Sequence, residues 1–571
     1  MAADVASLDA EFRHALTVHR AGDPAAAAQL YSAILEMDPR HAGAMHLLGV
    51  THVQRGQYDE ACQLIAAALR LDPSSVEARS NLASAQHERA RALATARRFG
   101  AALAAYDDAL ALRPDHVDTL NGRGTALAAL DRPHEALASY DRAIALAPDY
   151  AQAHGNRGSV LAQLGRFDEA LASYAAALAI APDYAEAYYN RGRTLHERGR
   201  FEEAIASYER ALARAPGHAD AHVNRGNALR ELGRFEEALD SYAAARRAAP
   251  GHVDAHCNEG LCRLLLGDLR RGWDLYEWRW QQRVARPRRY TDYAAWQGED
   301  VDGRLLAWSE QGPGDTMFFA GMIPDLIPRA RRLVVQVEPR LADLFSRSFP
   351  EVEIIGHDAV GPPAGGDRAI PLGSVGRHVR GSLSDIPDVV GYLKADPARI
   401  DALRRRLAHG SLVVGLSWIS KNPESGARRS LALAGWSPVL GVPGCTFVDL
   451  QYGDTTTERA ELARSSGRAL RHLDVDAFAD IDGLAALIAA CDLVMTIDNT
   501  TAHLAAALGK PTWVLLPFVP DWRWLLVRDD SPWYPTMRLF RQPSIADWPS
   551  VIARVAGELA QLTRQEGGRD P

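Results

Sequence analysis

Cysteine is scarce in this sequence, with five residues at 62, 257, 262, 445 and 491. An odd, scattered set builds no disulfide framework and fits a reducing compartment. Cys257 and Cys262 are five apart, which turns them to different faces of a helix. They read as small buried hydrophobes rather than metal ligands. The 19 histidines show no metal-ligand spacing either. No apolar run approaches the length of a membrane span, and the most apolar stretch, 484–497, is interrupted by Cys491 and Asp492. The opening residues MAADVASLDAEFRHAL lack a basic segment followed by an apolar core, so no signal peptide is expected and the expected location is the cytoplasm. A net charge of −8 and a pI near 6.2 give no general surface for nucleic acid or acidic lipid. Tryptophan is absent from the first half: all 12 lie at or after Trp273.

The first half has a period instead. Prolines fall at 39, 73, 114, 148, 182, 216 and 250, after alanine-rich helical runs. Their spacings are 34, 41, 34, 34, 34 and 34, and 34 is the tetratricopeptide period of paired helices. The single 41 is an insertion of seven, best placed near Gln86–Ala96. In LGRFDEALASYAAALAIAPDY (164–184), Gly165 breaks the first helix and Pro182 ends the second. Ala170 is small enough for close helix approach, and Tyr174 is expected to pack between repeats. No such unit buries its face alone, so stacking makes the core. An α-solenoid is therefore predicted over residues 1–280, a surface for a protein partner or for self-association.

One column of this array bears on binding. Asn81, Asn156, Asn190, Asn224 and Asn258 each lie eight residues after a proline; Leu47 and Gly122 are the missing rungs. An asparagine amide carries two donors and an acceptor and can hold a peptide backbone whatever its side chains. The same residues can instead tie neighbouring helices together. The two roles are compatible.

Composition changes at GWDLYEWRWQQR (272–283), an aromatic segment suited to capping the array against a following domain. Residues 281–303 read as a connector whose Arg283, Arg286, Arg288 and Arg289 suit a solvated or docking face. Beyond it, apolar runs at 304–309, 333–337, 412–418, 447–451, 492–498 and 512–516 alternate with helical stretches. That alternation predicts parallel sheets covered by helices, with room for two Rossmann-like halves, 304–395 and 396–571. A last helix spans 550–564, followed by a frayed tail, QEGGRDP.

Four segments of this region carry candidate chemistry. In TIDNTTAHLAAALGKPTWVLLP (496–517) a strand ends at Asp498, Asn499 or Thr500 caps a helix, and Gly509 stops it. Ligands of parallel α/β sheets bind at such strand ends, and a helix N-terminus attracts phosphate or sugar oxygens. Asp498, Asn499, Thr500, Thr501 and His503 crowd that mouth. In SEQGPGDTMFFAGMIPDL (309–326), Gly312 and Gly314 permit close backbone approach, and Asp315 is either a functional carboxylate or the N-cap of a helix from Thr316. SWISKNPESGARRSLALAGW (417–436) supplies Lys421, Arg428 and Arg429 after a strand. In PDWRWLLVRDDSPWYPTMRLFRQ (520–542), Trp522, Arg523, Trp524 and Trp533 either wall a pocket or seal the two halves. Asp529 and Asp530 form no D-x-D metal motif.

D-N-T-T-A-H-L-A-A-A-L-G-K-P resembles the donor-binding motif of heptosyltransferase-type GT-B glycosyltransferases, D-S/T-G-x-x-H-x-A-A-A-L-G-x-P. Asn499-Thr500 replaces Ser/Thr-Gly, which stiffens the loop and leaves the donor sugar open. The G-x-G-D segment at 312–315 resembles the same family's N-terminal loop, and the 520–542 segment resembles transferase domains fused to tetratricopeptide arrays. The whole architecture is similar to O-linked N-acetylglucosamine transferases and bacterial flagellin glycosyltransferases. This resemblance implies a metal-independent, inverting transferase with a nucleotide sugar as co-substrate and no cofactor. It implies Asp315 as base toward the acceptor hydroxyl, and Arg429, then Lys421, on the donor phosphates. The repeats, through Asn156, Asn190, Asn224 and Asn258, would bring a protein acceptor. The alternatives are a transferase acting on a glycan or lipopolysaccharide, with the repeats docking an assembly partner, and a scaffold that binds nucleotide sugar without turnover.

Overall fold

The computed structural model describes residues 2–282, 288–356, 361–407, 411–422 and 426–567. Arg283 and Arg286 of the connector, and the last residues of the tail, lie outside them. The chain divides into two compact units, Met1–Asn224 and Arg225–Pro571.

The first unit consists of antiparallel helix pairs: Ala2–Arg20 with Pro24–Met37, Ala42–Gln54 with Tyr58–Leu71, Val76–Thr95 with Phe99–Leu112, Val117–Ala129 with Pro133–Leu146, Ala151–Gln163 with Phe167–Ile180, and Ala185–Glu197 with Phe201–Arg214. The periodic prolines end the second helices by acting on the residue before them. Asp38, Asp72, Arg113, Ala147, Ala181 and Ala215 all have ψ between 76° and 92°, outside the helical region that a following proline forbids. The seven-residue insertion lengthens one helix: Val76–Thr95 has 20 residues where Val117–Ala129 has 13. Seven residues are close to two turns of 3.6, so the buried face is preserved. Gly165 turns between its helices at φ 73°, but Arg97 and Asp131 occupy the same left-handed position at 59° and 57°, where a side chain is disfavoured.

Tyr174 packs against the first helix of its own hairpin and also reaches the next repeat, where its hydroxyl is hydrogen-bonded with Thr194. A Cβ built on Gly158 would lie 2.7 Å from the Tyr174 ring, so the glycine of each N-R-G triplet is the floor for the tyrosine 16 residues on. Gly192 stands in the same relation to Tyr208, at 2.6 Å. The arginine of the triplet bolts the same two helices together: Arg157 donates to Ser173 Oγ at 2.6 Å and Arg191 to Ser207 Oγ at 3.3 Å. Gly192→Ala is therefore expected to destabilise the array. Overpacking against a buried ring costs about 1–3 kcal/mol and outweighs a helix-propensity gain of about 1 kcal/mol. Gly217→Ala, whose Cβ would meet nothing within 4 Å, is the control and is expected to leave the melting temperature unchanged by circular dichroism.

The second unit begins within the helix Ala219–Glu231 and continues through Phe235–Ala248, Val253–Leu265 and Leu269–Tyr276. No proline closes this last pair. A 3₁₀ turn at Glu277–Gln281 does so, and His256 stacks flat on Trp278 at 3.7 Å. Parallel sheets follow, as the alternation of apolar runs and helices predicts; among the described residues they hold ten strands in two five-stranded sheets. The first contains β1 (Ala294–Ala295), β2 (Val301–Trp308), β3 (Ala330–Gln336), β4 (Glu353–Ile355) and β5 (Arg368–Pro371) in the order β1-β5-β2-β3-β4. The second contains β6 (Leu412–Ser417), β7 (Cys445–Asp449), β8 (Leu493–Ile497), β9 (Thr512–Leu516) and β10 (Met537–Arg541) in the order β10-β9-β8-β6-β7. Every pairing between these strands is parallel. β6, β8 and β9 are buried along their whole length, as strands covered on both faces must be. The chain is thus an α-solenoid followed by two Rossmann-like α/β halves.

The halves are joined through a short crossing segment. The amides of Tyr392 and Leu393 both donate to Ala507 O at 2.8 Å, and the Tyr392 hydroxyl donates to Met317 O at 2.8 Å. Arg347 grips Asp482 with both nitrogens, at 2.7 and 3.0 Å. Trp273 of the final repeat helix is buried against Trp522 and Phe319, so the last repeats and the α/β region share one core. Among the described residues no helix is long and apolar enough to cross a membrane.

Candidate functional site

The C-terminal ends of β2, β6, β8 and β9 converge on one cluster. After β2, Gly312 caps the helix Pro313–Ala320 with φ −70°, and Asp315 sits in its first turn. Asp315 is therefore not the N-cap of a helix from Thr316, because proline starts the helix three residues earlier. Its carboxylate faces the other half instead: Arg523 Nη2 donates to Asp315 Oδ1 at 2.6 Å. Arg523 also donates to Asp521 Oδ1 at 2.8 Å. Asp521 lies 3.6 Å from Arg429, and Arg429 lies 2.9 Å from Asp498, just past the end of β8. Asp315, Arg523, Asp521, Arg429 and Asp498 thus form a chain of five alternating charges from one half to the other.

Burial makes this chain consequential. Arg523 and Asp498 are nearly inaccessible, while Asp315 at one end of the chain retains 33% side-chain exposure and Arg429, beside the buried Asp498, retains 21%. Burial raises the Asp498 carboxyl above the usual carboxylate range despite Arg429. Burial would raise Asp521 too, but Arg523 and Arg429 outweigh it and hold that carboxyl low. Burial disfavours the charge on Arg429, yet Asp498 and Asp521 outweigh it, so the guanidinium is held more firmly charged than usual. Such opposed carboxylates, side by side, are characteristic of functional sites.

The neighbouring motif residues divide by what they touch. Asn499 is the N-cap of the helix Thr500–Ala507; its Oδ1 accepts from Ala502 N at 3.3 Å, and its Nδ2 donates to Ser417 Oγ at the end of β6 at 2.8 Å. Thr501 is fully buried. A Cβ on Gly314 would lie 3.2 Å from Thr500 Oγ1 and 3.5 Å from His503 Cδ2, so at Gly314 helices of the two halves meet closely. His503 stacks on Trp524 at 5.1 Å and shares a 3.1 Å hydrogen bond with the Tyr534 hydroxyl. Burial, with Arg523 adding, pushes its pKa down to about 3, so the ring is neutral at ordinary pH.

The three basic residues of the β6 loop are not brought together. Only Arg429 joins the charge chain. Arg428 is half exposed and pairs with Glu231 of a repeat helix at 2.6 Å. Lys421 is exposed and lies over the Tyr452 ring at 5.7 Å. The loop's start is fixed by Gln451, whose Oε1 accepts from Ser417 Oγ and from the amides of Trp418 and Ile419 at 2.8–3.0 Å. Trp522 packs on Trp273, Tyr276 and Phe318, and so joins the halves to each other and to the repeats.

Arg523 as an ion-pair partner, Asp521 and Gln451 were not legible as site residues. The one signal in the sequence is weakly positional: Asp498 directly follows β8, and Asp521 lies five residues beyond β9. Among the described residues no three His, Cys, Asp or Glu side chains gather as a metal-binding group.

In the repeats, the asparagine column mostly reaches one repeat back. Asn156 Nδ2 donates to Asn121 Oδ1 at 3.0 Å, Asn224 to the Tyr189 hydroxyl at 3.2 Å, and Asn258 to Asn227 Oδ1 at 3.0 Å. Asn190 turns to Glu186 of its own helix, at 3.3 Å. All four are half-buried. The rung missing at Gly122 is filled by Asn121, because the Tyr106 ring leaves no room for a side chain at 122. Beside it, Ser84, His87, Arg91, Arg113, Asn121 and Tyr150 line a groove of about 570 Å³.

The tetratricopeptide-repeat family matches residues 19–85, 115–183, 149–217, 189–253 and 223–271. The array is built of tetratricopeptide repeats. Protein FlbA of Caulobacter vibrioides is 35% identical over 319 residues, covering 52% of this chain and 53% of that protein. The chain therefore spans about half the length of this relative. Among solved structures, YrrB, a TPR protein with an unusual peptide-binding site, is 25% identical, with a TM-score of 0.29 over 34% of this chain and 96% of its own. MamA is 26% identical, with a TM-score of 0.27 over 28% of this chain and 94% of its own.

Proposed function

We propose that this chain is a glycosyltransferase that moves a sugar from a nucleotide-sugar donor to a protein brought by the repeats. One observation carries the reading. A partly exposed carboxylate on one half, Asp315, and a partly exposed guanidinium on the other, Arg429, end up two residues apart along one buried charge chain. That is the pair the reaction needs. The acceptor oxygen attacks the anomeric carbon and its proton passes to Asp315. The bond from that carbon to the donor's phosphate oxygen breaks, and the departing nucleotide's negative charge is met by Arg429.

The donor sits at the ends of β6, β8 and β9, beside the N-terminus of Thr500–Ala507, where free amides favour an anion. Asn499 shapes this mouth by capping the helix and tying it to β6. His503, being neutral, offers a hydrogen bond rather than charge. The reaction is inverting and needs no metal, because direct displacement requires only a base and a phosphate anchor. The half-buried asparagine column offers a protein backbone its remaining acceptor and donor sites.

Calorimetry of the full chain against UDP, GDP, ADP and CMP tests the donor half of this reading. Saturable binding of one nucleotide is expected, and binding of none would remove it. Intact-mass measurement of proteins co-expressed with the chain tests the acceptor half, with a mass increase of a whole sugar residue as the expected result.

A further inference from the structure

We infer that Arg523 is the positioning residue of the base: it fixes the Asp315 carboxylate across the cleft and makes that geometry depend on the seat of the last repeat. This rests on the transferase reading above and assigns a role to a residue outside its donor and base set.

Three observations carry it. The first is geometry. Arg523 Nη2 engages only Asp315 Oδ1, at 2.6 Å, and no described residue donates to Oδ2, which lies beside Gly312. One oxygen is held and the other is left for a proton. The second is rigidity. The guanidinium lies over Trp522, Phe318 and Phe319 at 4.6, 5.0 and 5.7 Å, and its Nη1 is tied to Asp521 at 2.8 Å. A planar cation boxed by rings on one side and a carboxylate on the other has little freedom to follow a moving partner. The third is the turn itself. Trp522 is wedged against Trp273 and Tyr276 of the final repeat helix, Trp524 against His503, and Leu525 is held at φ 51°, a conformation a leucine avoids. Four consecutive residues, Asp521–Trp524, thus touch the phosphate-side arginine, the repeats, the base and the donor motif in turn.

A cycle of turnover measurements on the full chain tests this, using wild type, Asp315→Asn, Arg523→Gln and the double variant, with Arg523→Lys as the conservative replacement. Arg523→Gln is expected to lower kcat about 10- to 100-fold, as a misplaced reacting group does. Its affinity for the nucleotide found by calorimetry should stay within about 3-fold. Arg523→Lys should recover part of the loss. The double variant should be no slower than Asp315→Asn alone, because a positioning residue has nothing to act on once the base is gone. A merely structural role would give additive losses instead, and an equal loss of nucleotide affinity would make Arg523 a phosphate ligand; either result overturns the inference. If Arg523→Gln does not fold, Arg523→Lys runs through the same cycle with the same criterion. A wild-type chain that turns over no donor removes the transferase reading and this inference together, whereas an active wild type with additive losses removes the inference alone.

Discussion

Asp315→Asn is expected to slow sugar transfer by about 100- to 10,000-fold, the range that general-base catalysis contributes, while nucleotide affinity changes little. The two halves of that statement come from different parts of the site. Asparagine is nearly isosteric and still accepts a hydrogen bond from Arg523, so the helix Pro313–Ala320, the halves' contact at Gly314 and the aromatic box all stay in place. What it loses is the lone pair that takes the acceptor proton. The donor site stands apart from this change: Arg429, Asp498 and Asn499 belong to the second half. Steady-state transfer, donor hydrolysis and calorimetry on one preparation make the measurement. Equal transfer by both proteins would remove Asp315 as base. A parallel loss of nucleotide binding would place it on the donor instead. Hydrolysis adds a useful split, since water needs less help from the repeats than a protein acceptor and should fall by the same factor only if Asp315 serves both nucleophiles.

The repeats were legible because their chemistry is local. A proline acts on the residue before it, so the 34-residue spacing could be read directly as helix ends, and the insertion of seven kept the face because it is nearly two turns. The strands with continuous apolar runs, such as β6, β8 and β9, were readable for the same reason. β4, β5 and β10 were not: Glu353–Ile355 is three residues long, Arg368 opens the next, and Met537–Arg541 interleaves arginines with apolar residues at a sheet edge. The candidate site divided along the same line. Asp498, Asn499 and His503 lie in one contiguous motif and are readable together. Arg523 and Asp315 are 208 residues apart and meet only because two halves close on each other. In sequence, Arg523 looked like one more member of an aromatic packing segment, which it also is. Arg428 shows the converse: it stands next to Arg429 in the chain, but the helical turn sends it to Glu231 and away from the charge chain.

Arg429→Met is the other large effect, and it separates binding from stability. Removing one partner of a buried pair strands the other, and Asp498 keeps only 4% of its side chain exposed. The loss is expected at about 3–5 kcal/mol, the usual penalty for a buried charge left without its partner, read as a fall in the α/β unit's thermal transition. Asp498→Asn added to Arg429→Met should restore much of this, because the stranded group is then neutral. The pH dependence has a definite sign. The folded-state pKa of Asp498 is already raised above the ordinary 3.8 by burial, so the folded chain binds this proton more readily than the unfolded chain. Acid therefore favours the folded form through this group, and the deficit of Arg429→Met relative to wild type should shrink as the pH is lowered from neutrality toward about 4. Nucleotide affinity does not follow the same path. A charge-assisted bond to phosphate contributes about 1.5–3 kcal/mol, which is roughly 10- to 100-fold in Kd, and the double variant does not recover it. Stability that returns while affinity stays low would show Arg429 acting on the donor directly; affinity that returns with stability would reduce the residue to a counter-ion for Asp498.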